Sequence, residues 1–111
     1  MNSKIVKKVS IITVVYNGAS YVETAITSVL SQRYSCIEYI LIDGGSTDGT
    51  VNIVNRYKDS ISTIISEPDK GLYDAMNKGI SLATGDIIGI LNSDDFYVNE
   101  LVVEKVVKEF E

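Results

Sequence analysis

Two hydrophobic patterns alternate along this chain. Unbroken runs of β-branched and apolar residues are followed by stretches in which apolar positions return every three or four residues. The first run, VSIITVVY at 9–16, has the composition of a parallel strand covered on both faces. After the turn residues NGAS, Ser20 and Glu23 have capping-box spacing, and Tyr21, Val22, Ala25, Ile26, Val29 and Leu30 recur at helical intervals. IEYILID at 37–43 predicts a second strand, GGSTDGT breaks it, and Val51, Val54 and Tyr57 mark a short second helix. ISTIIS at 61–66 predicts a third strand, closed by EPDKG. Leu72, Met76, Gly79, Ile80 and Ala83 predict one face of a third helix, with Gly85 at the expected stop. DIIGILN at 86–92 predicts a fourth strand. Residues 100–110 then predict a helix with Leu101, Val102, Val106 and Phe110 inward.

Strand and helix alternating four times predicts an α/β domain with a mainly parallel sheet and right-handed crossovers. In a doubly wound sheet of order 3-2-1-4, with helices on both faces, ligands bind beyond the carboxyl ends of the strands where the order reverses. That crevice would be bordered by Tyr16 and Asn17 on one side and by Asn92, Ser93, Asp94 and Asp95 on the other. Asp43 would lie close by, so three carboxylates are expected to converge.

Composition narrows the chemistry. The 111 residues are enough for one domain and one core, without repeats or linkers. A net charge of −5 and no long basic run argue against nucleic-acid partners. There is no histidine and one cysteine, which excludes a His-based triad, a Cys/His zinc site and a disulfide framework within the chain. Cys36 reads as a small packing residue, and a single thiol fits a reducing, cytoplasmic setting. The amino terminus has lysines ahead of an apolar stretch, as a signal peptide would. That stretch is short, β-branched and interrupted by Ser10 and Thr13, so it is read as a strand. No run has the length of a membrane span.

The candidate site residues each have a bland and a functional reading. Asp94 and Asp95 are either a solvated strand end or a pair that holds a cation. With oxygen ligands alone, that cation would be Mg²⁺ or Mn²⁺ carrying phosphate oxygens in its open positions. Asp43 ends an apolar strand, where its carboxylate can accept hydrogen bonds from a nucleobase or ribose. Gly44 and Gly45 permit backbone conformations closed to other residues, and Gly45 to Thr50 read as a strand-to-helix turn, with Ser46, Thr47 and Asp48 available as caps. Neither a G-x-G-x-x-G nor a Walker A pattern is present. Lys70 is either solvated or neutralises a phosphate or orients a base. Asp69 either caps the third helix or, like Asp74, reaches the same cleft, while Asp74 and Lys78 read more simply as surface charges. Tyr16 can stack on a base.

Together, VSIITVVYNGASYVETAITSVLSQRY, YILIDGGSTDGT, SEPDKGLYDAMNKGISLATGD and IIGILNSDD cover nearly the whole chain and resemble the donor-binding half of a family 2 glycosyltransferase with the GT-A fold. The resemblance is nearest to members that build bacterial surface polysaccharides such as O-antigen or capsule. It implies that Asp95 coordinates a divalent metal, Mg²⁺ or Mn²⁺, bridging the diphosphate of a nucleotide-sugar donor, with a UDP-sugar favoured. Asp94 would lie at the ribose or in the metal's outer shell, and Thr13, Val14, Tyr16 and Asn17 would border base and ribose. The family often carries a second aspartate directly after the one ending the second strand. Gly44 stands there in this chain, which leaves Asp43 or Lys70 to make the uracil contact.

The resemblance further implies an inverting displacement by a deprotonated acceptor hydroxyl, with a saccharide or lipid-linked acceptor. The catalytic base is expected beyond Glu111, so residues 1–111 read as a single donor-binding domain, the amino-terminal part of a longer enzyme. Peripheral association with the inner face of the cell membrane and pairing into a homodimer are compatible with this reading. Three rivals remain. A receiver-like signalling domain would need an acidic pair after the first strand and a fifth strand. A nucleotidyltransferase would need a glycine-rich basic loop after the first strand. A non-catalytic GT-A-like interaction module would need only the fold.

Overall fold

A computed structural model describes residues 6–111, so the first five residues of the lysine-containing amino terminus lie outside the described residues. Eight elements follow in strict alternation: β1 (Val9–Val15), α1 (Val22–Leu30), β2 (Ile37–Asp43), α2 (Thr50–Asn55), β3 (Thr63–Ser66), α3 (Leu72–Leu82), β4 (Ile87–Ile90) and α4 (Val102–Glu109). The four strands form one parallel sheet in the order β3-β2-β1-β4. Both the alternation and the strand order match the expected α/β architecture. Successive strands are added in one direction from β1 to β3, and β4 then joins the opposite side of β1, which makes the gap between β1 and β4 the switch point.

All seven residues of β1 are buried because helices cover both of its faces. One face carries Val9, Ile11, Val15, Tyr39, Leu41 and Ile87 and packs against α1, α2 and α4 through Val22, Ala25, Ile26, Val29, Val54, Val103 and Val107. The other face carries Ile12, Val14, Ile40 and Ile42 and is covered by α3 through Ala75. At Gly79 this helix lies so close to the sheet that an added Cβ would stand 2.5 Å from Ile12 Cγ2.

Several local expectations are corrected. The Ser20/Glu23 capping box does not form. The N-cap of α1 is Tyr21, with no side-chain cap, and Glu23 instead accepts from the Tyr57 hydroxyl and faces Arg56 at 3.9 Å. Tyr21 and Leu30 are exposed, which leaves Val22, Ala25, Ile26 and Val29 as the inward stripe. The buried positions of α3 are Ala75 and Gly79, whereas Leu72 and Ile80 face outward. In α4 the buried pair is Val103 and Val107, and Val106 and Phe110 are exposed. Val102, Val103, Val106, Val107 and Phe110 all lie on one side of α4, and the buried stripe is the Val103–Val107 edge of that side instead of the Val102–Val106 edge. Gly85 is not a left-handed helix stop. A side chain there would collide with the backbone nitrogen of Ser10 at 2.7 Å and the carbonyl of Lys8 at 2.8 Å, so glycine serves close strand approach.

Candidate functional site

The carboxyl ends of the strands open into a cavity of about 640 Å³. Val14, Val15 and Tyr16 line it from the end of β1, Gly44 and Gly45 from the end of β2, and Asn92, Ser93 and Asp94 from the segment after β4. The loop ahead of α3 adds Pro68, Asp69 and Gly71, and α3 itself adds Leu72 and Ala75. The exposure of Tyr16, Tyr21 and Leu72, anomalous for large apolar side chains, has its explanation here: all three border this opening.

Of the residues singled out from the sequence, Val14, Tyr16 and Asp94 line the cavity, while Thr13, Asn17, Asp43, Lys70 and Asp95 do not. Thr13 is fully buried, its hydroxyl 2.8 Å from that of Tyr39, and burial in turn pushes the Tyr39 phenol well above its ordinary range. Asn17 has a left-handed backbone, φ 49°, and works as a latch. Its N–H donates to Ser46 Oγ at 2.7 Å and its Oδ1 accepts from the Thr47 N–H at 2.8 Å. Gly18 N–H donates to Thr50 Oγ1, and Ala19 N–H to Asp48 Oδ2, so the loop after β1 is tied to the loop after β2 at four points. The Asp48 carboxyl is held below the usual carboxylate range, chiefly by the Thr50 hydroxyl and then by the Ala19 N–H. Ser46 and Thr47 thus serve this latch instead of capping α2, whose N-cap is Gly49.

Asp43 is 1% exposed, and its carboxylate is turned into its own loop. Oδ2 accepts from the N–H groups of Gly45 and Ser46, both at 3.1 Å, and from Ser66 Oγ at 2.8 Å, while Oδ1 accepts from Ser46 Oγ. The expected convergence of Asp43 with Asp94 and Asp95 therefore does not occur. Among the described residues no three acidic or Cys side chains come together as a metal-binding group. Asp94 and Asp95 themselves are exposed, in a turn closed by the Asp95 N–H on the Asn92 carbonyl at 2.9 Å. Such a pair fits Mg²⁺ or Mn²⁺, ions that take one or two carboxylates and fill their other positions with water and phosphate oxygens.

Lys70 is exposed, and only its backbone engages the neighbourhood, donating to Asp74 Oδ2 at 2.9 Å. Lys78 pairs with Glu67 at 3.1 Å and faces Asp74 at 3.8 Å, as its surface reading predicts. Asp69 does not cap α3. Its Oδ1 accepts from the Gly71 N–H at 3.0 Å and its other oxygen lies beside Gly44. This packing of two loops is the part of the site that periodicity does not reveal. Gly44 was the one available signal, as a residue whose missing side chain leaves room for something else.

A crevice at the switch point of a parallel sheet, ending in an aspartate pair, is the arrangement that the sequence resemblance anticipates. Residues 10–111 match the family model described as Glycosyl transferase family 2. The chain belongs to that family. An uncharacterized glycosyltransferase of Mycobacterium tuberculosis is 41% identical over 101 residues, which span 90% of this chain and 38% of the relative. The Escherichia coli UDP-Glc:alpha-D-GlcNAc-diphosphoundecaprenol beta-1,3-glucosyltransferase WfaP is 38% identical over 99 residues, 88% of this chain and 39% of WfaP. Among solved structures, the mannosyltransferase PcManGT from Pyrobaculum calidifontis, in complex with GDP-Man and Mn²⁺, superposes with a TM-score of 0.85 at 27% identity. That match covers 92% of this chain and 32% of the mannosyltransferase. The fold is accordingly the nucleotide-binding part of the GT-A architecture, and the chain spans less than two fifths of the length of these relatives. Among the described residues no helix is long and apolar enough to cross a membrane.

Proposed function

We propose that this chain is the donor-binding domain of a longer, inverting family 2 glycosyltransferase that takes a nucleoside-diphospho-sugar, preferably a UDP-sugar, and serves polysaccharide or glycolipid assembly at the cytoplasmic side of the membrane. The observation that carries the reading is the cavity at the carboxyl ends of β1 and β4, bordered by an aromatic side chain, Tyr16, and by Asp94 of the aspartate pair. Tyr16 and Val14 border the base and ribose, and Asp94 lies toward the ribose and phosphates. Asp95, with Asp94 beside it, would hold Mg²⁺ or Mn²⁺. When bound, the ion supplies positive charge for the diphosphate of the leaving group. Thr13, Asn17 and Asp43 act indirectly, by fixing the strand ends and loops on which the lining residues sit. UDP-Glc in the name of WfaP and Mn²⁺ with GDP-Man on PcManGT support a metal-assisted nucleotide-sugar ligand. Activation of an acceptor hydroxyl needs a carboxylate base, and the resemblance puts that base outside residues 1–111.

The test is calorimetry of the chain against UDP-glucose, UDP-GlcNAc and GDP-mannose, with Mn²⁺ and with EDTA. Binding of at least one donor is expected with Mn²⁺. It should fall at least tenfold in EDTA and in Asp95→Ala, whose melting curve should match that of the parent. No glycosyl transfer is expected from the chain alone. Silence toward every donor, or binding indifferent to both Mn²⁺ and Asp95, would leave a GT-A-like module without this role.

A further inference from the structure

We propose that the Asn17–Gly18 peptide is a modification site, at which the asparagine deamidates through a cyclic imide once the Thr50 hydroxyl releases the Gly18 nitrogen. Of the asparagines in this chain, only Asn17 precedes a glycine. In a flexible peptide that pair is the most labile asparagine sequence, because no Cβ hinders the approach of the glycine nitrogen to the side-chain amide. The chemistry needs only water. The Gly18 nitrogen loses its proton and attacks Asn17 Cγ, the Cγ–Nδ2 bond breaks, and Nδ2 leaves with that proton as ammonia. One water then opens the imide. Opening at Cγ gives aspartate, and opening at the backbone carbonyl gives isoaspartate, whose main chain runs through the side-chain carbon. Isoaspartate at this position adds a carbon to the loop beside Tyr16, which lines the cavity.

Packing holds both residues in place, so the fold carries the labile pair and restrains it. A Cβ on Gly18 would stand 2.6 Å from Val15 Cγ2 and 2.9 Å from Tyr21 Cε2, which favours glycine there. Asn17 holds φ 49°, a left-handed backbone that asparagine tolerates better than most residues, and its Oδ1 accepts the Thr47 N–H at 2.8 Å. The restraint falls on the attacking atom. Gly18 is buried, and its N–H donates to Thr50 Oγ1 at 2.9 Å. The Thr50 hydroxyl donates in turn to Asp48 Oδ1, which leaves its oxygen lone pairs for Gly18. The Gly18 carbonyl is held as well, by the N–H groups of Val22 at 2.9 Å and Tyr21 at 3.1 Å. To reach Cγ, the Gly18 nitrogen has to turn away from Thr50. The leaving group is not restrained, since Asn17 is exposed and its Nδ2 donates to none of the described residues. Asn92–Ser93 is the opposite case. Serine is a slower follower than glycine in flexible peptides, but Asn92 is exposed and the Ser93 N–H has no partner among the described residues.

The experiment ages the 111-residue chain in mildly alkaline buffer and follows amide-to-acid conversion at each asparagine by peptide mass spectrometry. In the folded parent Asn92 is expected to convert before Asn17, and in urea the order should invert. Thr50→Val keeps the branched shape and removes the acceptor. Asn17 should then convert about tenfold faster, the factor that one hydrogen bond of ordinary net strength supplies, while Thr50→Ser should stay within about threefold of the parent. Gln32→Ala loosens α4 and leaves these loops untouched, so it should move the Asn17 rate by no more than about threefold. The isoaspartyl form, separated by its extra negative charge, should melt below the parent, because the lengthened loop cannot keep all four of its ties to the loop after β2. Asn17 converting ahead of Asn92 in the folded parent would overturn the proposal, and that comparison needs no variant to fold. An unchanged Asn17 rate in folded Thr50→Val, or an equal acceleration in Gln32→Ala, would overturn the role of Thr50. An isoaspartyl form that melts like the parent would overturn the effect on the loop.

Discussion

Glu38 sits at the amino-terminal edge of the sheet, far from the cavity, and its carboxylate is surrounded by donors. Thr84 N–H donates to Oε1 at 2.9 Å and Ser10 Oγ at 2.7 Å, and Ser10 Oγ in turn accepts from Gly85 N–H at 2.8 Å. These bonds, with the Thr84 backbone first and Ser10 next, hold the Glu38 carboxyl below its ordinary value of 4.5, against the opposing pull of burial. A depressed folded-state pKa contributes stability that is present above the unfolded value and lost as pH falls through the folded one. Glu38→Gln is therefore expected to lower the urea midpoint at pH 7, by about 1 kcal/mol in stability, and the gap to the parent should narrow as the pH is taken below 4. A gap that stays constant down to pH 3 would show that the charge of Glu38 contributes nothing. Tyr16, directly after β1, and Asp94, four residues after β4, were legible as cavity residues because the segments that leave the carboxyl ends of parallel strands have a predictable place. Asp43 occupies such a place too, yet the serines and glycines after it direct its carboxylate inward, and alternation along a strand carries no trace of that.

At the scale of elements, Gln32 does what no local pattern announces. It lies just past α1 and is 9% exposed. Its Nε2 donates to the carbonyls of Ser28 at 3.1 Å and Asn99 at 2.7 Å, and its Oε1 accepts from the Val103 N–H at 3.0 Å. A side chain from one helix thus satisfies a first-turn N–H of another, across a separation of 71 residues. Gln32→Ala leaves these partners buried and unmatched, and it should cost about 2 kcal/mol, read as a lowered thermal midpoint with earlier loss of amide-exchange protection in α4 than in β1. Uniform loss of protection across both elements would contradict a local clamp. All eight elements were legible from composition and period, and their bounds moved by only a few residues. The inward face of α3 was legible in part, with Met76, Gly79 and Ala83 inward as expected and Leu72 and Ile80 not, whereas in α4 the innermost residues were missed. Each helix has one broad apolar side, and the closest approaches, Gly79 on Ile12 in α3 and Gln32 holding Val103 in α4, settle which edge of that side is innermost.

For the molecule as a whole, the two sheet faces are unequally covered. Three helices pack on the face of Ile11 and Leu41, but only α3 lies on the other, where it covers Ile12, Ile40 and Ile42. β4 pairs with β1 so that Ile90 stands beside Ile12 and Ile88 beside Ser10. Both isoleucines project from an edge strand that α3 does not cover, and Ile88 remains 44% and Ile90 40% exposed. An edge with unpaired backbone groups and β-branched apolar side chains favours strand-to-strand association between copies. Replacing both residues, Ile88→Lys with Ile90→Lys, adds charge at partly exposed side chains whose covered portion a lysine stem can still fill, so the stability change should stay within about 1 kcal/mol. Light scattering at increasing protein concentration is expected to show less association for the double variant than for the parent, with nucleotide binding unaltered because neither side chain lines the cavity. Equal association of the two proteins would mean that this edge is already protected by its short length, and a drop in nucleotide affinity would mean that the β4 edge and the segment carrying Asp94 are mechanically coupled.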